Sequence, residues 1–99
     1  MKASEARKIA FAKVGKTYES GLNMVFNIVY SAINKAANEG TLETVISVRE
    51  MLHYFDELKS SYVKKAIVEL VRTRLTEDGY DVHVVSTNLS QEKWVEISW

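Results

Sequence analysis

The chain has 99 residues, of which 46% are hydrophobic and 26% are charged, and its 13 basic side chains balance its 13 acidic ones. This length fits a single domain, and the composition is that of a globular protein rather than a disordered one. The chain contains no cysteine, which excludes disulfides, thiolate zinc sites and thiol nucleophiles.

The first part of the chain, residues 1–39, predicts one long helix. Apolar positions recur at steps of three and four residues from Phe11 to Ala36, and Gly40 then suits a left-handed stop. Gly15 and Gly21 each weaken such a helix by up to about 1 kcal/mol, so a break near either glycine stays open.

The stretch from residue 22 to residue 33 predicts self-association. Its apolar side chains point in nearly every direction around the helix axis, and a helix of that kind must be covered on all sides. The sixty residues that follow can cover one side, and a second copy of the chain is the natural cover for the other. We therefore predict a homo-oligomer with an interface formed by Leu22, Val25, Phe26, Val29, Tyr30 and Ile33.

The remaining residues, 41–99, predict a small body of mixed structure. The predicted elements are a strand (Thr41–Glu50), a short helix or loop (Met51–Leu58), a helix from Ser60 or Ser61 to Asp78 stopped by Gly79, and two strands (Tyr80–Ser86 and Lys93–Trp99) joined by the turn Thr87–Glu92. The order is α, β, (α), α, β, β. We expect an α+β fold, a single domain over residues 1–99 in which helices cover one face of a three-stranded antiparallel sheet.

Neither a catalytic centre nor a metal site is predicted. His53 has Asp56 and Glu57 nearby, and a histidine–carboxylate pair can act as a general base. However, no nucleophile or oxyanion loop accompanies the pair, and His53 and His83 lack metal-ligand spacing. The four glycines are isolated, so no phosphate-binding loop or cofactor is indicated. We expect a non-enzymatic protein without cofactors.

The charge distribution and the aromatic residues suggest an anionic ligand. Residues 1–16 carry five basic side chains against one acidic side chain, which attract an anion or form a solvated helix face. Arg74 falls on the apolar stripe of its helix, where a buried guanidinium needs a carboxylate or an anionic ligand. The alternative is that Arg74 reaches water from the last turn of the helix, where a cation suits the dipole. Nucleotide binding needs cations and an aromatic stacking plate. The candidate ligand-binding residues are therefore Arg74, Lys64, Lys65, Tyr62, Trp94 and Tyr54.

An alternative interpretation is a winged-helix nucleic-acid binder. The order of elements is that of a winged helix, with Lys59, Lys64 and Lys65 near the start of the recognition helix and the last two strands as the wing. Glu69 and Glu92 on the same elements weaken this interpretation, because duplex binding needs several phosphate contacts from one basic surface.

Four short segments carry a resemblance to a class of proteins: Ala3–Arg7, Ile33–Gly40, Leu75–Val82 and Val95–Trp99. With them the layout resembles small accessory proteins of tailed phages. The resemblance implies an oligomer that acts without catalysis, by binding a host protein or by sequestering a signalling nucleotide, and so antagonises host defence. The sequence has neither a signal peptide nor a membrane span, so we expect a cytoplasmic location, in the host cell if the protein is phage-encoded.

Overall fold

The structure is a computed structural model that describes residues 1–55, 61–86 and 92–99. The helices are α1 (Ala3–Thr17), α2 (Glu19–Asn38), α3 (Val48–Met51) and α4 (Ser61–Glu77), with a 3₁₀ turn at His53–Phe55 between α3 and α4. The strands are β1 (Glu43–Ser47), β2 (Asp81–Ser86) and β3 (Lys93–Ser98). The predicted α+β class and the three-stranded antiparallel sheet are confirmed.

The predicted long first helix is two helices. The break falls at Tyr18, whose backbone leaves the helical region with φ −120° and ψ 31°, between Gly15 and Gly21 rather than at either one. The Tyr18 ring meets the Phe55 ring edge-on, with centroids 5.9 Å apart. The break therefore accompanies a tertiary contact between residues far apart in sequence.

The sheet has the strand order β1–β3–β2, so the last strand lies in the centre. Its pairing aligns Val45 with Glu96 and His83, and Ile46 with Val95 and Val84. Because side chains alternate along a strand, Ile46 and Val95 point towards the helices, and the row through Glu96 points away. Both α2 and α4 pack on the same side of the sheet, and α1 packs against α4 and α2.

The inner side of the apolar stretch of α2 is covered within the chain, whereas Met24 on its outer side is 37% exposed. Leu22, Val25, Phe26, Val29 and Ile33 are all buried, in one core with residues of the sheet, α3 and α4. This burial removes the physical reason for predicting an oligomer interface at these five side chains, because they have almost no exposed surface with which to contact a second copy. Of the six predicted interface residues, Tyr30 alone remains exposed, at 39%.

Both predicted glycine stops are present. After α2 the Thr41 N–H donates to the Ala36 carbonyl and the Gly40 N–H to the Ala37 carbonyl, with Gly40 at φ 83°. The same pattern of hydrogen bonds closes α4, where Gly79 has φ 95°. Two nested hydrogen bonds around a left-handed residue form a Schellman motif. A glycine placed directly after the last helical residue therefore predicts where each helix ends.

The first strand ends three residues earlier than the sequence predicts. Ser47 accepts a hydrogen bond of 3.1 Å at its Oγ from the Glu50 N–H and so caps α3. A serine followed three residues later by glutamate is a helix-start signature, and it takes precedence over the strand alternation here. The predicted cap at Ser60 or at the side chain of Ser61, and most of the Thr87–Glu92 turn, lie outside the described residues.

Candidate functional site: a lysine-lined groove

Helix α4 has a buried side and a regular solvent stripe. Ile67, Leu70, Val71 and Leu75 are buried in the core. The opposite side of the helix carries residues at alternating steps of three and four, which places them in one line along the axis: Tyr62, Lys65, Glu69, Arg72 and Thr76. The stripe offers hydrogen-bond donors at both ends of the helix.

One end of the stripe borders a groove between α4, α3 and the β2–β3 hairpin. The groove encloses about 290 Å³, and its floor is apolar. Lys64 and Lys65 reach it from α4, and Lys93 reaches it from the first residue of β3. Three lysines and one glutamate, Glu69, therefore line the groove over a floor of four aliphatic side chains: Val48, Leu52, Val68 and Val84.

Lys93 is the residue of this groove that sequence reasoning undervalued. On the sequence it counts only as one charge at the base of a hairpin. Its alternation with Val95 and Ile97, both buried, places it on the side of the sheet that faces the helices. The sequence alone therefore predicts the side of the sheet on which Lys93 lies. It does not predict that Lys93 lies near the lysines of α4, because these belong to another element.

The candidate ligand-binding residues do not form one site. Lys64 and Lys65 lie together, whereas Arg74 lies ten residues further along α4, about 15 Å away along the axis. Its guanidinium carbon is 4.4 Å from the centre of the Phe26 ring, so a cation–π contact rather than a buried anion is its partner. The side chain stays exposed at the C-terminal end of α4, where a cation also suits the helix dipole.

The candidate aromatic plates are dispersed as well. Trp94 is partly buried and points to the side of the sheet away from the helices, so it cannot stack on a ligand in the groove. Tyr62 is 85% exposed on the solvent stripe of α4. The side chain of Tyr54 lies outside the described residues, as do Asp56 and Glu57, the expected partners of His53.

Beside Arg74, α2 and the end of α4 share a polar contact. The Tyr30 hydroxyl donates a hydrogen bond of 3.1 Å to Asp78 Oδ2. Partial burial, and then the hydrogen bond and the charge of Asp78, raise the pKa of the Tyr30 hydroxyl above its ordinary value of 10.0. The contact ties α2 to the residue that follows α4.

Within residues 1–55, 61–86 and 92–99, no three histidine, aspartate or glutamate side chains are placed to hold a metal ion. Within the same ranges, no helix has the length and apolarity needed to cross a membrane.

Comparisons with protein-family models, curated proteins and solved structures each gave no match to this chain. The function is therefore inferred from the groove, the α4 stripe and the topology around them.

Proposed function

We propose that the protein binds duplex nucleic acid in the manner of a winged helix, with α4 entering the major groove and the β2–β3 hairpin lying beside it. The observation that carries the proposal is the convergence of Lys64 and Lys65 from α4 with Lys93 from the hairpin on one groove. Helix and hairpin are the two elements that a winged helix uses to contact nucleic acid.

The topology supports this proposal. β1 pairs with β3 and not with β2, so the second strand of the final hairpin, β3, lies between β1 and β2. α3 and the 3₁₀ turn precede α4 and occupy the place of the first helix in a helix-turn-helix unit. A helix, a strand, a helical pair and a hairpin with this strand order form the arrangement that presents a recognition helix.

The side chains of the proposed surface have the required chemistry. Lysine and arginine contact phosphates, and both also bind guanine in the major groove. Arg72 is held 3.3 Å from Glu69 in an exposed pair, which costs little to exchange for a phosphate. Arg49 and Glu92 approach to 3.9 Å beside the groove, with the Arg49 side chain 84% exposed. The surface therefore has five cations against two carboxylates, although the whole chain is neutral.

Sequestration of a small anionic ligand is a second candidate, because the same lysines over an apolar floor suit a phosphate group. The groove is at the small end of the range for ligand pockets, and its described lining contains no aromatic side chain. A nucleotide would thus find charge there but no stacking plate, which favours the nucleic-acid proposal.

The test is fluorescence anisotropy of the full chain with a mixed-sequence duplex of about 25 base pairs, titrated at several salt concentrations. Each lysine that contacts a phosphate adds about 0.9 to the slope of log affinity against log salt. We expect Lys64→Gln with Lys65→Gln to lower that slope by about 1.8 and to weaken binding at low salt.

The matched control is Lys8→Gln with Lys35→Gln, which removes the same charge from exposed positions on α1 and α2 away from the groove. We expect this control to retain most of the affinity. An unchanged anisotropy of the wild-type chain with every duplex at about 50 mM salt contradicts the proposal. Calorimetric binding of a mononucleotide, lost in the Lys64→Gln and Lys65→Gln chain, would instead favour the second candidate.

A further inference from the structure

The free edge of β1 is bordered by a groove along α2. The groove has a volume of about 670 Å³ and lies between the outer side of α2 and the strand. Thr44, Val45 and Ile46 all line it, although side chains on a strand alternate between the two faces of a sheet. Three consecutive residues line one groove where that groove follows the edge of their strand. We call it the edge groove.

The backbone of β1 points unpaired groups into the edge groove. In the described part of the sheet β1 pairs with β3 alone. The Trp99 N–H donates a hydrogen bond of 3.0 Å to the Leu42 carbonyl, so residue 42 directs its backbone groups towards β3. In an antiparallel pair this direction alternates along the strand. The backbone groups of Thr44 and Ile46 therefore also point to β3, and those of residues 43, 45 and 47 point to the edge groove.

Two of the carbonyls on this edge already have a role. The Glu43 carbonyl accepts a hydrogen bond of 3.3 Å from Thr41 Oγ1. Ser47 is the N-cap of α3, and the carbonyl of an N-cap residue accepts the first hydrogen bond of its helix. The N–H groups of Glu43, Val45 and Ser47, together with the Val45 carbonyl, are then available to an added strand.

The middle of the edge groove is apolar. Met24, Ile28 and Ala32 line it from α2 at steps of four residues, which places them on one side of the helix. Met24 is 37% exposed, and Val45 on the strand is 54% exposed. The backbone groups of β1 and this apolar wall lie side by side, which is the combination that an extended peptide needs in order to add to a sheet.

Carboxylates are in excess around the edge groove. Glu39 lines it at the end where β1 begins, and Glu50 lines it at the end where β1 meets α3. Glu43 and Glu96 flank Val45 on the side of the sheet that faces away from the helices. Lys35, one turn before Glu39, is the cation among the lining residues. These four carboxylates and one ammonium group form no ion pair with one another or with other described residues.

The nearby cations outside the edge groove are engaged elsewhere. Arg49, next to Glu50 in sequence, lies 3.9 Å from Glu92 and does not line the groove. His83 lies two strands away from Val45 and is 3.2 Å from Asp81. The charge of the edge groove is therefore set by its own residues and is negative.

We propose that an extended segment of a partner protein binds in the edge groove as a fourth strand, antiparallel to β1, with apolar side chains in its middle and cations towards its ends. Antiparallel pairing forms the more stable ladder. The residue opposite Val45 exchanges two hydrogen bonds with it. The residues opposite Thr44 and Ile46 point to the helical side and place their side chains against α2.

The register also fixes where the cations lie. The residue opposite Glu43 shares its face of the sheet and lies within reach of its carboxylate. The residue opposite Val48 points to the helical side, where Glu50 lines the edge groove. A segment of seven residues centred on Val45 therefore has its cations at the first and sixth positions and apolar residues at the third and fifth.

A second copy of this chain does not fit the edge groove in the same way. If β1 paired antiparallel with β1 of a second copy, the two-fold axis would be perpendicular to the sheet and both copies of α2 would lie on one side of it. Because α2 packs on β1, the two helix axes would be about one strand spacing apart, roughly 5 Å. Packed helices need about 8–10 Å between their axes. An isolated strand has no such helix, so it fits.

The edge groove is separate from the proposed nucleic-acid surface. No described residue lines both this groove and the lysine-lined groove beside α4. Peptide binding and duplex binding can therefore fail independently of each other, and the carboxylates of the edge groove repel the phosphates of a nucleic acid.

The test is nuclear magnetic resonance of the full chain, labelled with nitrogen-15, at low salt with a capped peptide of the sequence Lys-Thr-Val-Thr-Val-Lys-Thr. We expect a dissociation constant on the order of 1 mM, because few hydrogen bonds offset the cost of ordering the peptide. The largest amide shifts are expected at Glu43, Val45 and Ser47. Exchange of these amide hydrogens with solvent should also slow.

Two control peptides separate charge from strand pairing. The first has glutamate in place of both lysines and is expected to bind at least about tenfold more weakly. The second is methylated on the backbone nitrogen of its central threonine, which removes the donor to the Val45 carbonyl, and its binding should be lost. No amide shift with the lysine peptide up to about 5 mM overturns the proposal. Equal binding of either control peptide overturns it as well.

Variants of the chain repeat both controls from the other side. Val45→Pro removes the N–H that points to the edge groove but no hydrogen bond to β3, so it should remove peptide binding while circular dichroism shows a folded chain. Val45→Thr keeps that N–H and should retain binding. Glu43→Lys with Glu50→Lys should exchange the preference and favour the glutamate peptide. If Val45→Pro does not fold, the methylated peptide decides the same question.

Discussion

Replacing Gly21 by alanine tests how tightly the 3₁₀ turn packs on α2. A Cβ added at Gly21 would lie 2.7 Å from Cε1 of Phe55 and nearer still to Cζ. Real Cβ atoms do not approach aromatic carbons so closely, so the ring or the helix must shift. The Phe55 ring is buried and also meets Tyr18 edge-on, which leaves it little room to move.

Two effects of opposite sign set the change in the free energy of unfolding. Alanine favours a helix over glycine by about 1 kcal/mol, which stabilises the variant. Overpacking a buried site costs about 1–3 kcal/mol, and the upper half of that range applies here because two ring atoms are too close. We therefore expect Gly21→Ala to lower the free energy of unfolding by about 1–2 kcal/mol, which lowers Tm by roughly 5–15 °C in a domain of this size.

Gly15 provides the matched control, because it also lies in a helix and a Cβ there would meet nothing within 4 Å. Gly15→Ala is expected to raise the free energy of unfolding by about 0.5–1 kcal/mol. Urea titration followed by circular dichroism measures both variants. If Gly21→Ala is as stable as Gly15→Ala, the close packing of Phe55 is refuted. In a Phe55→Leu background the penalty of Gly21→Ala should largely disappear.

Three further perturbations address the end of α4. The pKa of the Tyr30 hydroxyl is raised in the folded chain, so this group stabilises the fold below pH 10, and the contribution is lost as pH rises through the folded pKa. Tyr30→Phe is therefore expected to remove this alkaline loss of stability. Urea titrations from pH 8 to 11 measure the free energy of unfolding of both chains. Arg74→Gln removes the cation from the Phe26 ring and should cost about 0.5–1 kcal/mol in urea titration, with duplex affinity unchanged. Gly79→Ala forces a side chain to φ 95° and should lower the unfolding free energy by about 1–2 kcal/mol, although space is open there.

Local chemistry explains which features the sequence predicts well. Gly40 and Gly79 follow directly after helical periodicity ends, and no residue other than glycine adopts their φ values at low cost. The alternation of Val95 and Ile97 against Trp94 and Glu96 likewise predicts the two faces of β3, as the burial of these residues confirms. These signals act over a few residues, so the printed sequence contains them whole.

The features that the sequence misses depend on contacts between distant residues. Gly15 and Gly21 leave a break in the first helix open, but neither places it at Tyr18, whose ring meets the ring of Phe55, 37 positions later. The apolar sides of α2 predict that something covers them but not what does so. In the folded chain β1, α3 and the 3₁₀ turn all pack on α2, and the sequence-based interface expected for a second copy assigns that cover to the wrong molecule for Val25 and Val29.

The sequence indicates some residues of the lysine-lined groove, and the fold adds the others. Lys64 and Lys65 stand out as neighbouring cations on a helix, and the chemistry of an anionic ligand groups them with Arg74 in the sequence analysis. Lys64 and Lys65 are consecutive, whereas Arg74 lies ten residues after Lys64, about 15 Å away along the helix axis. The fold replaces Arg74 with Lys93, which only strand pairing brings near.

A net charge of zero conceals two oppositely charged sides of the chain. The groove and the α4 stripe are basic, whereas the side of the sheet that faces away from the helices carries the carboxylates of Glu43, Asp81 and Glu96. The sheet and the helical layer are each about 10 Å thick, so these carboxylates lie about two Debye lengths from the α4 stripe at physiological salt. They therefore repel a duplex bound at α4 only weakly. Charge reversal at Glu96 should leave the affinity for a duplex nearly unchanged, whereas charge reversal at Lys65 should lower it.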